Sequence, residues 1–445
     1  MLLLELIILL TCILVGARIG GIGLGTVSGL GLVIYVFVLG MPPGQPPSVV
    51  LGMILGVITA LAMMEAAGGL DFLVATAEKL LRKNPDRITF VAPAVSYVLI
   101  FAAGTQHVIY SLLPVIAEVA RKAGVRPERP LSISVIAAQQ GLIASPISAV
   151  TVALVGVLAS AGLGLADILA ITIPASMVGL ALGTLSIAWR GASLDKDSHY
   201  QALLQAGEID PGTEQAATAA NTTSGGKAGY GSCIIFLLAV TAIVAMGIFP
   251  ELRPVYDHAA DGSPLRVPMA SAIMILMLAA AGAMSLLFKA SPAKAVRGEL
   301  MRSGVIAIIS ILGVSWLGSS FFAANETVIV DTIAEVIETA PYLFALGLFV
   351  LSILLFSQAA TIVILGPVGV ALGLPAPLLL GLYPAVNGNF FLPTYGTVLA
   401  AVSFDRTGTT RIGKYVLNHS FMRPGLVATG SATLTALALS QLLTT

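Results

Sequence analysis

The sequence predicts an all-α polytopic membrane protein, organised as an inverted repeat of about five spans and one re-entrant hairpin per half, with interrupted helices. Three observations predict it. Of 445 residues, 57% are hydrophobic and only 10% charged, against roughly 25% charged in a soluble domain. Apolar stretches of about 20 residues, the length a helix needs to cross the hydrocarbon core, recur along the chain. Lys and Arg gather in alternate connections, as the positive-inside rule requires. Lys plus Arg equals Asp plus Glu at 22 each, which points to no nucleic-acid partner and to recognition by particular residues rather than bulk charge.

Full spans are expected at 2–17, 22–39, 48–66, 131–160, 166–189, 230–249, 268–288, 304–322, 378–403 and 424–444. The first has no basic n-region and no small-residue cleavage site, so it is expected to remain as a span. Segment 88–120 is broken at Gly104-Thr105-Gln106-His107 into arms of about 15 residues, and both ends are basic: Lys79, Arg82, Lys83 and Arg87 before it, Arg121, Lys122, Arg126 and Arg129 after it. Both ends therefore lie on the cytoplasmic side, and the segment reads as a re-entrant hairpin. Segment 341–373, broken at Ser357-Gln358, reads as a second one. It follows residues 323–340, which carry Glu326, Asp331, Glu335 and Glu338 without Lys or Arg and suit the outer face. Counting spans from the basic loops places both termini in the periplasm.

Residues 1–189 and 230–445 then form two halves of opposite orientation, joined by an Ala-, Thr-, Gly- and Ser-rich cytoplasmic linker at 190–229. Inverted repeats of this kind characterise secondary transporters, because mirrored halves provide inward-open and outward-open states of similar energy.

Interrupted spans occupy matching places at 131–160, broken near Ser145-Pro146-Ile147-Ser148, and at 378–403, broken near Asn387-Gly388-Asn389 and Pro393-Thr394-Tyr395. Ser145 before Pro146 is read as a helix start, serine capping free amides and proline suiting the first turn; Gly104-Thr105 and Ser357-Gln358 offer similar starts at the hairpin tips. Broken backbone at membrane depth is tolerated where it lines a polar cavity, and helix starts there favour anions. The candidate substrate-binding set is Thr105, Gln106, His107, Gln140, Ser145, Pro146, Ser148, Ser357, Gln358, Asn387, Asn389, Pro393, Thr394 and Thr397. The bland alternative is a set of packing kinks.

Other features carry less. Cys12 and Cys233 have no metal or redox spacing and read as packing residues. Glu5 and Glu65 lie in or at the ends of spans, and proton relay is the lesser reading beside an interfacial position. Gly21, Gly25 and Gly29 recur every fourth residue as a helix-packing face. His107 stands near the proposed site, while His199, His258 and His419 are placed in loops. With no HExxH and no paired intramembrane aspartates, a membrane hydrolase is disfavoured; no catalytic residue, metal or cofactor is expected. A channel is the other rival class.

GARIGGIG at 16–23, AAGGLD at 66–71, RPERP at 126–130, ASPIS at 144–148 and FDRTGTTRIGKYVLNHSF at 404–421 resemble the anaerobic C4-dicarboxylate transporter (Dcu) family along nearly the whole chain. The resemblance implies a bacterial inner-membrane carrier that exchanges fumarate, malate or aspartate for succinate in anaerobic fumarate respiration, without ATP or cofactor. Its partners would be small dicarboxylates and the lipid bilayer; a homodimer and a sensor kinase stay open. Gly104-Thr105-Gln106-His107 with Val108-Ile109-Tyr110 is similar to the B-type antiporter branch, Gln106 standing where a glycine is expected. Citrate and sodium-dicarboxylate carriers share paired hairpins and interrupted spans, which by analogy implies an elevator motion. Ion-coupled symport of another small carboxylate is the alternative.

Overall fold

In the computed structural model, which describes residues 2–19, 22–206, 226–258, 262, 264–340, 342–355, 357–393, 395–412 and 418–443, the chain is helical almost throughout. A helix closes its backbone hydrogen bonds within itself, which lipid demands. Three helices open the chain: α1 (Leu2–Ile19), α2 (Gly23–Val33, continued by a π turn Ile34–Val38) and α3 (Ser48–Ala66). The short α4 (Gly69–Lys83) buries Val74, Ala77 and Leu81 on one face and ends in Arg82 and Lys83, the pattern of an interfacial helix. The hairpin arms α5 (Ile88–Ala103) and α6 (Ile109–Lys122) follow, then the interrupted pair α7 (Glu128–Ala144) and α8 (Ala149–Leu158), the closing helix α9 (Leu165–Ile187) and the short α10 (Ser198–Gln205).

The same order returns after residue 226. It comprises α11 (Gly226–Ile248), α12 (Met269–Phe288), α13 (Pro292–Arg297), α14 (Glu299–Thr339), the arms α15 (Leu343–Leu355) and α16 (Gln358–Ala371), the interrupted pair α17 (Ala376–Leu382) and α18 (Gly396–Phe404), and the closing helix α19 (Met422–Ser440). Both arm pairs double back. Arg82, just before α5, reaches Glu118 near the end of α6 at 3.1 Å, and Phe344 at the start of α15 lies against Gly369 near the end of α16. Two packing groups emerge. Helices α1, α2, α3, α11, α12 and α14 pack on one another, while α5, α7 and α17 pack against α9 and α19, which run together closely; α8 touches both α3 and α16.

Several expectations change. Among the described residues, seven helical segments are long and apolar enough to cross a membrane by length and composition. The stretch at 2–17 forms the 18-residue α1, whereas those at 22–39 and 378–403 form helices too short to qualify alone and that at 424–444 a helix too polar to do so. Conversely, the first arm with its preceding turn, Pro85–Ala103, does qualify. Residues 304–322 and 323–340 are one continuous helix, because no glycine or proline interrupts the chain between Gly318 and Pro341. The outer loop at 250–267 holds an antiparallel hairpin, β1 (Val255–His258) with β2 (Pro264–Arg266), so the fold is not strictly all-α. The first part of the 190–229 linker is docked rather than free: Leu194 is buried and Asp197 pairs with Arg126; residues 207–225 lie outside the described residues.

Of the glycine stripe, Gly25 does pack, since an added Cβ would sit 2.1 Å from the Ile309 carbonyl oxygen on α14, whereas Gly29 faces open space and Gly21 lies outside the described residues. Cys12 and Cys233 are buried and free. Glu5 is buried and accepts from Asn325 Nδ2 at 2.5 Å, tying α1 to α14; Glu65 accepts from the Leu300 amide at 3.4 Å, at the start of α14. His199 lies in α10 and His258 on β1 rather than in loops.

Candidate functional site

The four interruptions converge. Gly104 ends α5 in the left-handed region at φ +66, a conformation that costs glycine nothing, and a Cβ there would stand 2.9 Å from Ile147 in the first break. The Gln106 side chain at that tip donates to Gln358 Oε1 at the second tip at 3.2 Å, and Gln358 Nε2 donates to Asn387 Oδ1 in the second break. The two interrupted helices also touch, the Tyr383 hydroxyl donating to the Ile143 carbonyl at 3.2 Å. Gly388 must be glycine: its amide donates to Ser352 Oγ at 3.0 Å, and an added Cβ would lie 2.6 Å from the Phe349 carbonyl oxygen. Thr429 on α19 donates to the Asn387 carbonyl at 3.2 Å, fixing the break from the other side.

Local capping differs from the sequence reading at the first break. Ser145 ends α7 in extended backbone, as a residue before proline prefers, and its hydroxyl donates to the Phe101 carbonyl at 2.7 Å. Helix α8 starts at Ala149 and is capped by Ser148, whose Oγ accepts from the Thr151 amide at 3.2 Å. At the first tip, Gly104 closes α5, and α6 begins after a turn at Gln106–Val108, its own N-cap residue Val108 making no side-chain bond. Ser357 does cap α16, accepting from the Ala360 amide at 3.1 Å. Pro146 and Pro393 are buried beside their breaks. His107 belongs to the tip turn; its side chain and the whole of Thr394 lie outside the described residues.

The polar groups at these breaks are buried, and several lack partners. Among the described residues, Gln106 Oε1, both amide atoms of Gln140, Asn387 Nδ2, both amide atoms of Asn389 and Thr397 Oγ1 have no hydrogen bond, though each such buried group costs about 1–3 kcal/mol. Evolution tolerates that cost where a ligand completes the bonding. Gln139, fully buried with both amide atoms also unpaired, was missed by the sequence reading, as were Tyr383, Ser352 and Thr429 as supports. The adjacent amides Gln139-Gln140 inside a buried run were the available signal. By contrast, a cavity of about 990 Å³ bounded by α15, α17 and α19 is walled by Phe349, Leu382, Leu426 and Leu434. That chemistry suits lipid tails rather than an anion.

The residues that surround the breaks thus offer neutral amide and hydroxyl donors, two capped helix starts and a buried setting, an arrangement suited to carboxylates. Comparison with known proteins agrees. The model of the family described as anaerobic C4-dicarboxylate membrane transporter matches residues 1–444. The chain is 40% identical over 430 residues to the anaerobic C4-dicarboxylate transporter DcuB of Escherichia coli, covering 95% of each chain. It is 39% identical over 432 residues to C4-dicarboxylate transporter DcuA of Wolinella succinogenes, covering 97% of each, and 40% identical to DcuA of Escherichia coli, again over 97% of each; overall identity does not separate the A and B types. The crystal structure of the Alcanivorax borkumensis YdaH transporter superposes with a TM-score of 0.54 at 17% identity, over 94% of this chain and 89% of that one, a likeness of fold. The chain is not an enzyme but a multi-pass membrane protein, and it belongs to the anaerobic C4-dicarboxylate membrane transporter family.

Proposed function

We propose that this protein is a secondary active carrier of C4-dicarboxylates in the bacterial inner membrane, exchanging fumarate, malate or aspartate for succinate in anaerobic respiration, in the manner of the B-type branch. The observation that carries the reading is the chain of contacts Gln106–Gln358–Asn387, which joins both hairpin tips to the second break beside unpaired buried amides. One substrate carboxylate meets the side of Thr105, Ser145 and Ser148, the other the side of Gln358, Asn389 and Thr394. Because Ser145 and Ser148 hydroxyls are already engaged, they act by holding the backbone of the first break, while Gln140, Asn387, Asn389 and Thr397 supply free polar atoms.

The repeated order of elements supports two inverted halves, 1–189 and 230–445. The mutual packing of α1, α2, α3, α11, α12 and α14, which meets the interrupted helices mainly where α3 touches α8, is compatible with an elevator that uses that group as scaffold. Each half supplies one hairpin and one break, so a loaded carrier can switch while both carboxylates stay held. The test is counterflow. Purified protein in liposomes loaded with succinate should take up labelled fumarate several-fold faster than in empty liposomes. Equal uptake into both would rule out exchange and favour ion-coupled symport or a channel.

A further inference from the structure

Beside the second interruption, a cavity of about 350 Å³ is lined by Glu128, Arg190, Arg411, Asn418, His419 and Ser420. Its walls are held from below. Arg129 donates to the carbonyl of Arg190 at 2.7 Å and to that of Gly191 at 2.8 Å, which fixes the backbone from which Arg190 projects. Arg411 is fixed from the opposite wall: its amide donates to Ser420 Oγ at 3.1 Å, its carbonyl accepts from the Ser420 amide at 3.1 Å, and Ile412 bridges to His419.

The charges around this cavity are unevenly satisfied. Glu128 accepts from Arg126 Nε at 2.6 Å and from Ser420 Oγ at 2.8 Å. Asp197 is paired with Arg126, and Asp405 accepts from Thr407, Thr409 and the Thr410 amide. Every carboxylate in this network is engaged, yet neither Arg190 nor Arg411 has an ion-pair partner among the described residues. The cavity also touches the second break. His419, buried at 4% exposure, donates from Nε2 to the Phe391 carbonyl at 3.0 Å, while its Nδ1 accepts from the Phe421 amide at 3.2 Å. A ring whose Nδ1 accepts an amide hydrogen is neutral, the form that burial also favours by pushing its pKa down, so the positive charge lining the cavity comes from the two arginines.

We propose that this cavity is a second anion site, an antechamber in which Arg190 and Arg411 take up a dicarboxylate from the aqueous phase on the side of the loop at 405–412 and deliver it to the adjoining break. A volume of this size suits a small molecule, and paired guanidiniums are the preferred partners of carboxylates. The proposal rests on the carrier function above for the destination of its ligand, and on its own residues for the binding. Clustered charge at a cleft raises the local concentration of an oppositely charged substrate and loses that effect as salt rises.

The experiment uses full-length protein in liposomes of determined sidedness, with labelled succinate offered to one face at a time. Changing Arg190→Gln and Arg411→Gln together should raise the apparent KM about ten-fold at low salt for substrate on the loop face. It should leave the opposite face unchanged and flatten the salt dependence of KM on the loop face. The paired variants Arg190→Lys and Arg411→Lys should recover most of the loss. An unchanged loop-face KM, an equal rise on both faces, or lysine variants as impaired as the glutamine ones would each overturn the antechamber. Its failure is distinguishable from failure of the central site: a substitution at Asn389 should weaken binding from both faces alike.

Discussion

At the residue scale, Asn389 states most clearly what the centre is for. Its side chain is buried at 2% exposure with both amide atoms unpaired among the described residues, a burial that costs stability unless a ligand completes it. Leucine of similar size removes that unsatisfied pair at little steric cost, and replacing a buried polar group by an apolar one of like shape is near neutral or stabilising. Asn389→Leu should therefore leave the thermal midpoint in detergent unchanged or slightly higher, while weakening dicarboxylate affinity roughly ten-fold or more, the loss of a hydrogen bond to a charged group being about 1.5–3 kcal/mol. Calorimetric titration with fumarate together with a melting curve checks both halves of the statement. A variant that melts lower and binds as well as the parent would make Asn389 a structural amide.

At the scale of elements, the closing helices α9 and α19 show how small residues substitute for the hydrophobic effect, which is weak between helices in lipid. A Cβ on Gly179 would come within 2.5 Å of the Ala428 carbonyl oxygen and 2.8 Å of the Ala432 methyl. Gly179→Val should separate the pair and lower the thermal midpoint, with an overpacking cost of about 1–3 kcal/mol. Gly430→Ala, which meets open space on α19, should hold it or raise it, by up to about 1 kcal/mol of helix propensity. Melting both variants in the same detergent decides the matter, and equal destabilisation would mean that the glycines matter through backbone flexibility instead. The first break illustrates a limit of local reading at this scale. Ser145-Pro146 carries every mark of a helix start, but Ile147 and Ser148 form one more turn before α8, and the cap passes to Ser148.

At the scale of the whole molecule, the open question is orientation. The basic connection at 289–303 and the acidic stretch at 323–340 sit on either side of one long helix, α14, whose 41 residues span about 60 Å at 1.5 Å per residue. That is twice the hydrocarbon thickness, long enough to join the two aqueous phases that the proposed topology assigns to its ends. An impermeant thiol reagent applied to intact cells should label a cysteine placed at position 335 and spare one at 297. The reverse pattern would invert the proposed topology.

Composition and hydropathy determined the membrane class and the places where the apolar runs break, and they did so because those features are local: about 20 apolar residues must become a helix in lipid, and Gly104, Pro146 and Gly388 mark the points where one is interrupted. The likeness of FDRTGTTRIGKYVLNHSF and its companion blocks to a carrier family was equally legible in the chain. What only the tertiary structure decided was which polar residues face one another. Gln106 and Gln358 are 252 residues apart and bond directly; Gln139 has no local mark to set it apart from Gln140; Arg190 and Arg411 read as two ordinary loop charges until the fold places them on one cavity that Glu128 and His419 also line. Partnership across such separations depends on how helices stack and where chains return, and hydropathy, a property of one residue and its neighbours, contains no term for it.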